Sequence, residues 1–457
     1  MTPPLLAFYG DDFTGSADVM EVLQWSGLKT VLFLEPPTRE QLLEFDDLRA
    51  FGVAGWSRTM SNEEMETELR PALERLRESG ASIVHYKTCS TCDSSPQIGS
   101  IGKAIEIGRQ VFETPRVPVV IAAPNLGRFQ VFGNLFARSG VDSEPFRLDR
   151  HPTMQAHPIT PMNEADLRIH LGGQCDLSIG LIDILQLNDA NPIDMPASEA
   201  LLFDALDSQH MVKIGESIEH LRTTETPLYA VGSSGIEYAI TGFWSESGQL
   251  DAMRSHPRSR PTFPATEQLL VVTGSCSPVT ERQIAYAEKI GFELIEINTA
   301  RLVDDANADA EVQAVVRSAI KRIEQGANVL LHSSRGPNDE RVHATKRAFQ
   351  GLGYDDADIR LRSGRTLGPK LGGILAGILA ECSFQRVAVA GGDTSGYIAR
   401  TLGITALEAV APVAPGSPLC KAHANNNVDG TEFFFKGGQV GKDNVWETML
   451  KGTQEKS

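Results

Sequence analysis

Short apolar runs alternating with helical stretches constrain this chain more than any other feature. Leu5 to Tyr9 reads as a buried strand, Gly10-Asp11-Asp12-Phe13-Thr14-Gly15 turns into a helix that stops at Gly27, and Lys29 to Leu34 reads as the next strand. Ser61-Asn62-Glu63-Glu64 is a capping box opening a helix that ends at Gly80, and Ser82 to Tyr86 is a strand leading into Lys87. Phe51 to Trp56, Val117 to Ala123 and Leu228 to Val231 are further strands. From Asp251 to Thr266 the text becomes Pro-, Ser- and Arg-rich without apolar periodicity, which reads as an interdomain linker. The alternation then restarts with strand Gln268 to Thr273, a loop at Gly274-Ser275-Cys276-Ser277, and a helix from Pro278 to Gly291. Strands Glu293 to Ile297, Val329 to His332 and Val387 to Ala390 follow. The expected fold class is α/β: two α/β domains with mostly parallel sheets, residues 1–255 and 256–457, with a polar tail after Lys451.

Charge and cysteine usage narrow the partners. With 42 Lys+Arg against 59 Asp+Glu the formal charge is −17, so the chain has no surplus of cations with which to displace counterions, and no nucleic-acid partner is expected. No apolar stretch is long enough for a membrane span or a leader peptide, so no membrane partner is expected and the cytoplasm is the expected compartment. The six cysteines are scattered in a way that suits a reducing compartment. Cys89 and Cys92 form a lone CxxC without a second pair or a suitably spaced His, so neither zinc nor redox chemistry is expected of them.

In open α/β sheets, ligands bind outside the carboxyl ends of the strands. Asp11 and Asp12 stand directly after the first strand, where one can cap the following helix and the other remains to hold a hydroxylated ligand, a metal or a proton. Arg58 follows the strand Phe51 to Trp56, and Lys87 ends another with Ser90, Thr91 and Asp93 just beyond it. Cations and hydroxyls at strand ends suit a small anionic, hydroxyl-rich ligand, which an arginine can clamp through its carboxylate. In the second half, Gly391-Gly392-Asp393-Thr394-Ser395-Gly396, Gly274 to Ser277 and Lys436-Gly437-Gly438-Gln439-Val440-Gly441 are three glycine-rich loops of the kind that bring backbone N–H groups to a phosphate. Neither GxxxxGK[ST] nor GxGxxG occurs. His151-Pro152 and His157-Pro158 read as extended segments, and His151, His157 and His170 as satisfied histidines rather than metal ligands. Gly232-Ser233-Ser234-Gly235 is not a nucleophile elbow.

Taken in order, Gly10 to Asp18, Lys87 to Ser95, Gly274 to Thr280, Gly391 to Gly396, Pro415 to Cys420 and Lys436-Gly437-Gly438 resemble the four-carbon acid sugar kinase family over nearly the whole chain. The resemblance implies an N-terminal acid-sugar domain, a C-terminal nucleotide domain with the active site in the cleft between them, and ATP-dependent phosphorylation of a hydroxyl on acids such as threonate, erythronate or 3-oxo-tetronate. By motif, it implies that Asp11, Arg58, Lys87, Thr88, Cys89 and Ser90 touch the acid sugar. Ser275, Gly391, Gly392, Asp393, Thr394, Ser395 and Gly437 would hold ATP, and Asp12 or Asp393 would accept the proton. Mg²⁺ would accompany the ATP, with no residue assigned as its ligand, and Lys436 would help neutralise phosphate charge. Cys92 and the stretch Arg128 to Ala137 depart from the commoner members, and the latter resembles a branch acting on branched or oxidised acids such as 3-oxo-isoapionate. An NAD-dependent acid-sugar oxidoreductase and a non-catalytic sugar-acid sensor are the rival readings; the missing GxGxxG opposes the first and the missing output element the second.

Overall fold

The computed structural model describes residues 3–139, 143–155, 159–189, 191–256 and 260–453. Backbone packing divides the chain into two compact units, Met1–Ser259 and Arg260–Ser457.

The first unit contains β1 (Leu6–Gly10), β2 (Thr30–Phe33), β3 (Ala50–Ala54), β4 (Ile83–Lys87) and β5 (Val117–Val120). The short strands β6 (Arg128–Val131), β7 (Asn134–Arg138) and β8 (Pro145–Arg147) follow, and then β9 (Ile179–Ile182), β10 (Ala200–Phe203) and β11 (Leu228–Gly232). Eight of these form a parallel sheet in the order β2-β3-β1-β4-β11-β5-β10-β9. Every residue of β1, β3, β4 and β11 is buried, as a parallel sheet covered on both faces requires. Ser61 caps the helix Asn62–Glu78 through the reciprocal bonds that its sequence anticipates, and the helix Phe13–Trp25 gives way to Gly27 at φ +92°.

Strands β6, β7 and β8 stand apart as an antiparallel ribbon. Its two-residue turn, Phe132-Gly133, has both residues at positive φ, the geometry that matches strand twist in a tight hairpin. The carboxylate of Asp204, just after β10, pins this turn by accepting from the N–H groups of Phe132 (2.5 Å) and Gly133 (2.9 Å) and from the Gln130 amide (3.3 Å). His151 ends the ribbon region and opens the short helix Pro152–Gln155, so only the histidine of His151-Pro152 is extended; His157 lies outside the described residues.

The second unit contains β12 (Leu270–Thr273), β13 (Glu293–Glu296), β14 (Val329–His332), β15 (Arg386–Ala390), β16 (Ile404–Ala414), β17 (Ser417–Ala424) and β18 (Glu432–Lys436). The order is β13-β14-β12-β15-β18-β17-β16, parallel through β18 and then antiparallel. Its core is built on Phe263, Leu330, Phe434 and Trp446.

Most of the stretch expected to be a linker is instead tied down. The helix Gln249–Met253 covers its start, and Ser255 accepts from Lys29 N (2.8 Å) while its own N–H reaches Gly27 O (2.9 Å). Phe263 is buried in the second core under the guanidinium of Arg386, 4.7 Å from its ring centroid. A loop that buries an aromatic side chain and pairs its backbone is no longer a free spacer.

Candidate active site

In the first unit, sheet register places Gly10, Ala54, Lys87 and Gly232 in one row at the carboxyl end of β1, β3, β4 and β11. The loops that follow are stitched together: Asp11 N donates to Lys87 O (2.8 Å), Thr88 N to Gly232 O (2.7 Å) and Arg58 N to Asp11 O (3.1 Å). A Cβ on Gly10 would overlap the Ser16 hydroxyl, so the absence of a side chain at residue 10 lets the first turn of the helix pack closely on the strand end.

The two aspartates divide the work as helix capping predicts. Asp12 is the cap, its Oδ1 accepting from Gly15 N (3.0 Å) and its Oδ2 from the Thr14 hydroxyl (2.7 Å). Asp11 is buried and gripped from two points by Arg58, Nε to Oδ2 at 3.1 Å and Nη2 to Oδ1 at 2.8 Å, with Thr88 donating to Oδ2 at 3.3 Å. The same Nη2 reaches Asp12 Oδ1 at 2.8 Å. Arg58 is therefore not the open carboxylate clamp expected from sequence, because the Nε–Nη2 edge that would grip a ligand grips Asp11.

Burial pushes the Asp11 carboxyl above its ordinary range despite Arg58. Burial also raises Asp12, but Arg58, Lys87, the Thr14 hydroxyl and the Gly15 N–H outweigh it and hold that carboxyl low. Burial works against the charged form of Arg58, yet the two carboxylates keep it firmly protonated.

Lys87 is the opposite case. It is 3% exposed and has no hydrogen-bond or ion-pair partner among the described residues, although its ammonium lies beside Gly15 and the charge of Asp12. A buried ammonium with open donors is costly unless something arrives to pair with it. Beyond it, the Cys89 thiol lies 2.9 Å from the Thr91 hydroxyl, which donates to Asp93 Oδ1 (2.7 Å), so the thiol donates and stays protonated. Burial pushes its pKa up to about 11, a hydrogen-bonding group rather than a nucleophile. Ser90 sits half-buried in the same turn. Cys92 is fully buried at φ +57°, and all six cysteines are free.

Sequence reasoning missed several groups around this end of the sheet. His85 shares a face of β4 with Lys87, and its Nδ1 lies 2.6 Å from Glu237 Oε1 with both side chains fully buried. Its Nε2 faces the Gly232 carbonyl at 3.1 Å, which can only accept, so that nitrogen carries a proton. Asp18, on the helix after Asp12, has its carboxyl raised by burial and opposed by Lys87. Charged residues at alternate positions of a buried strand were the available signal. His151 and His170 are satisfied as expected: His151 Nδ1 accepts from Thr153 and Met154 N–H, and His170 Nε2 meets Ser94 and Gln174.

In the second unit the three glycine loops converge, because β12, β15 and β18 are neighbours. Gly274 N donates to Ala390 O (2.9 Å) and Gly391 N to Lys436 O (2.9 Å). A Cβ on Gly274 would strike Thr394, and one on Gly438 would strike Ser275. Ser277 (2.5 Å) and Thr280 (2.9 Å) both donate to Gly438 O, and Thr280 reaches Ser275 Oγ at 3.1 Å. Gly391, at φ +129°, starts the helix Gly392–Thr401, which no side chain caps, leaving first-turn N–H groups for an anion. Ser395 Oγ ties the turn by donating to Gly391 O (2.7 Å). Gly437 is half-buried beside this cradle, and Asp393 is exposed in the helix's first turn.

Lys436 does not supply an exposed cation. Its side chain is fully buried, its Nζ 3.0 Å from Gly437 O and 5.6 Å from the Trp446 ring centroid, and burial lowers its pKa to about 7. On β18 it shares a face with Phe434, so strand periodicity turns it into the core.

The chain matches a model for a sugar-binding N-terminal domain over residues 6–240 and one for a nucleotide-binding C-terminal domain over residues 270–445. It is 41% identical over 455 residues to a 3-oxo-isoapionate kinase from Paraburkholderia graminis, covering 98% of this chain and 94% of that protein. It is 30% identical to a 3-oxo-tetronate kinase from Methylobacterium radiotolerans, covering 94% of this chain and 97% of that protein. A solved structure from Salmonella typhimurium LT2 shares the fold with a TM-score of 0.74 at 22% identity, covering 97% of this chain and 98% of that one. A structure from Haemophilus influenzae does so at 0.66 and 21%, covering 96% and 98%. The fold and these relatives define a carbohydrate kinase, a phosphotransferase with an alcohol group as acceptor. The chain belongs to the four-carbon acid sugar kinase family. Among the described residues no helix is long and apolar enough to cross a membrane.

Proposed function

We propose that this kinase transfers the γ-phosphoryl group of ATP to a hydroxyl of a branched, oxidised acid sugar of the 3-oxo-isoapionate type. The observation that carries the substrate choice is the 41% identity to a 3-oxo-isoapionate kinase across 98% of the chain, against 30% and 28% for 3-oxo-tetronate kinases.

The residues of the first unit suit the acceptor. Asp11, Thr88, Cys89 and Ser90 line the strand ends that would meet hydroxyls, Lys87 offers a buried ammonium unpaired among the described residues, and Arg58 fixes both aspartates. In the second unit Ser275, Gly391, Gly392, Thr394, Ser395 and Gly437 form the cradle for the nucleotide's phosphates. Phosphoryl transfer asks mainly for positioning and charge neutralisation, with a base worth about 10²–10⁴-fold. Asp12 is assigned to receive the proton; beside Lys87 it is well placed but weakly basic, which a loose transition state tolerates.

Among the described residues no cluster of three or more His, Cys, Asp or Glu could hold a metal. Mg²⁺ would come with the nucleotide, held chiefly by its phosphates and water, with Asp393, in the first turn of the helix after Gly391, the carboxylate that could bind it. Such an ion would neutralise charge on the transferring group. The free state of all six cysteines suits a cytoplasmic enzyme. The reading is tested by ADP release from MgATP against a panel of threonates, erythronates, 3-oxo-tetronate and 3-oxo-isoapionate. It requires release that depends on the acid and favours the last, and release favouring 3-oxo-tetronate would overturn the substrate choice.

A further inference from the structure

We propose that Arg128, carried on the β6–β7–β8 ribbon, holds the carboxylate of the acid sugar; the inference rests on the acid-sugar-kinase reading and assigns its specificity. Arg58 cannot serve two carboxylates at once with the same edge, since its Nε and Nη2 already face Asp11. Arg128 presents the complementary situation. Its Nη1 donates to Leu126 O (2.8 Å) and Arg138 O (3.3 Å), which fixes the guanidinium plane, while its Nε is buried without a partner and its Nη2 has none among the described residues. The free edge is therefore the same two-donor edge that Arg58 uses on Asp11, and it matches a carboxylate bidentately.

The topology puts that edge where a substrate would be. Arg128 pairs with Ala123 at the exit of β5, on the carboxyl side of the sheet that also carries the Lys87 loop. The charge of Asp93, in that loop, acts on both Arg58 and Arg128. Burial disfavours the charged form of Arg128, as expected for a cation awaiting an anion. The Asp204 pin on Phe132 and Gly133 holds the ribbon before any ligand arrives.

The test compares the acid with its primary amide in wild type and in Arg128→Ala, checking folding by circular dichroism and Tm. Loss of a charge-assisted two-point contact should raise KM for the acid about 10- to 100-fold with kcat within about 3-fold. kcat/KM for the amide should be unchanged, and added guanidinium ion should restore the acid's KM. A merely structural role would lower acid and amide together and would not respond to guanidinium. If Arg128→Ala does not fold, Arg128→Lys replaces it, with about a 10-fold rise in the acid's KM expected because an ammonium has no flat fork. An unchanged acid KM in either variant, or parallel loss of acid and amide, overturns the inference alone. A wild type that phosphorylates none of the acids overturns the kinase reading and this inference with it.

Discussion

Arg58 and Asp11, 47 residues apart in sequence, meet edge to edge at the carboxyl end of the first sheet, with Nε at 3.1 Å and Nη2 at 2.8 Å from the two carboxylate oxygens. Asp11 is 2% exposed, so Arg58 is its counter-charge more than a surface ion pair.

Arg58→Ala should destabilise the first unit by about 3 kcal/mol, the usual cost of leaving one partner of a buried pair uncompensated. The double variant Arg58→Ala with Asp11→Asn should recover much of that loss, although activity stays low in both. Urea unfolding of the three proteins decides it: a double variant no more stable than Arg58→Ala would show that the pair is not the source of the loss.

Lys87→Met should separate activity from stability. Lys87 has no hydrogen-bond or ion-pair partner among the described residues, so relief of its burial offsets the lost pull on Asp12 and Tm should change little, while turnover on the acid sugar falls by about 10²-fold or more as charge on the reacting groups goes uncompensated. A variant that loses Tm and activity together would mean that Lys87 is structural.

Gly391→Ala should impair the nucleotide side alone. At φ +129° an added Cβ costs about 1–3 kcal/mol and crowds Thr394 at the cradle. KM for ATP should rise about 10-fold or more, with acid-sugar binding by calorimetry unaltered.

His332 gives a pH signature. Burial and the neighbouring Arg341 and Arg335 lower its pKa to about 4 from an ordinary 6.5. Between those values the unfolded chain binds more protons than the folded one, so stability is full above about pH 6.5 and falls as pH drops toward about 4. The span corresponds to about 3 kcal/mol. His332→Gln should flatten that part of the stability–pH curve, and an unaltered slope would assign the acid loss to other groups.

Strands β1 to β5, β11, β12, β14 and β15 were legible because each is an apolar run bounded by turn residues, whereas β10 and β18, also buried, were passed over; Ser61, Gly27 and Pro278 marked helix ends for stated physical reasons. The helix Asp356–Glu381 was hidden by Pro369 and its glycines, which are there for packing: Gly368 lies under the Tyr397 ring and Gly372 under Thr401. The β16–β17 hairpin was masked by Pro412, Pro418 and its register shifts. At the site, spacing located Asp11, Asp12, Arg58 and Lys87 at strand ends but not their pairing, since nothing local says that Arg58 turns to Asp11 while Lys87 finds no partner among the described residues. The inward turn of Lys436 was readable from strand alternation with Phe434, but the glycine loop beside it drew the reading outward.

Transfer of phosphate from ATP to an acid sugar can be followed by ³¹P NMR of the purified protein with MgATP and 3-oxo-isoapionate. A new phosphomonoester resonance should grow in step with ADP. Inorganic phosphate as the sole new resonance, or an unchanged ATP spectrum with this acid and with 3-oxo-tetronate, would contradict it.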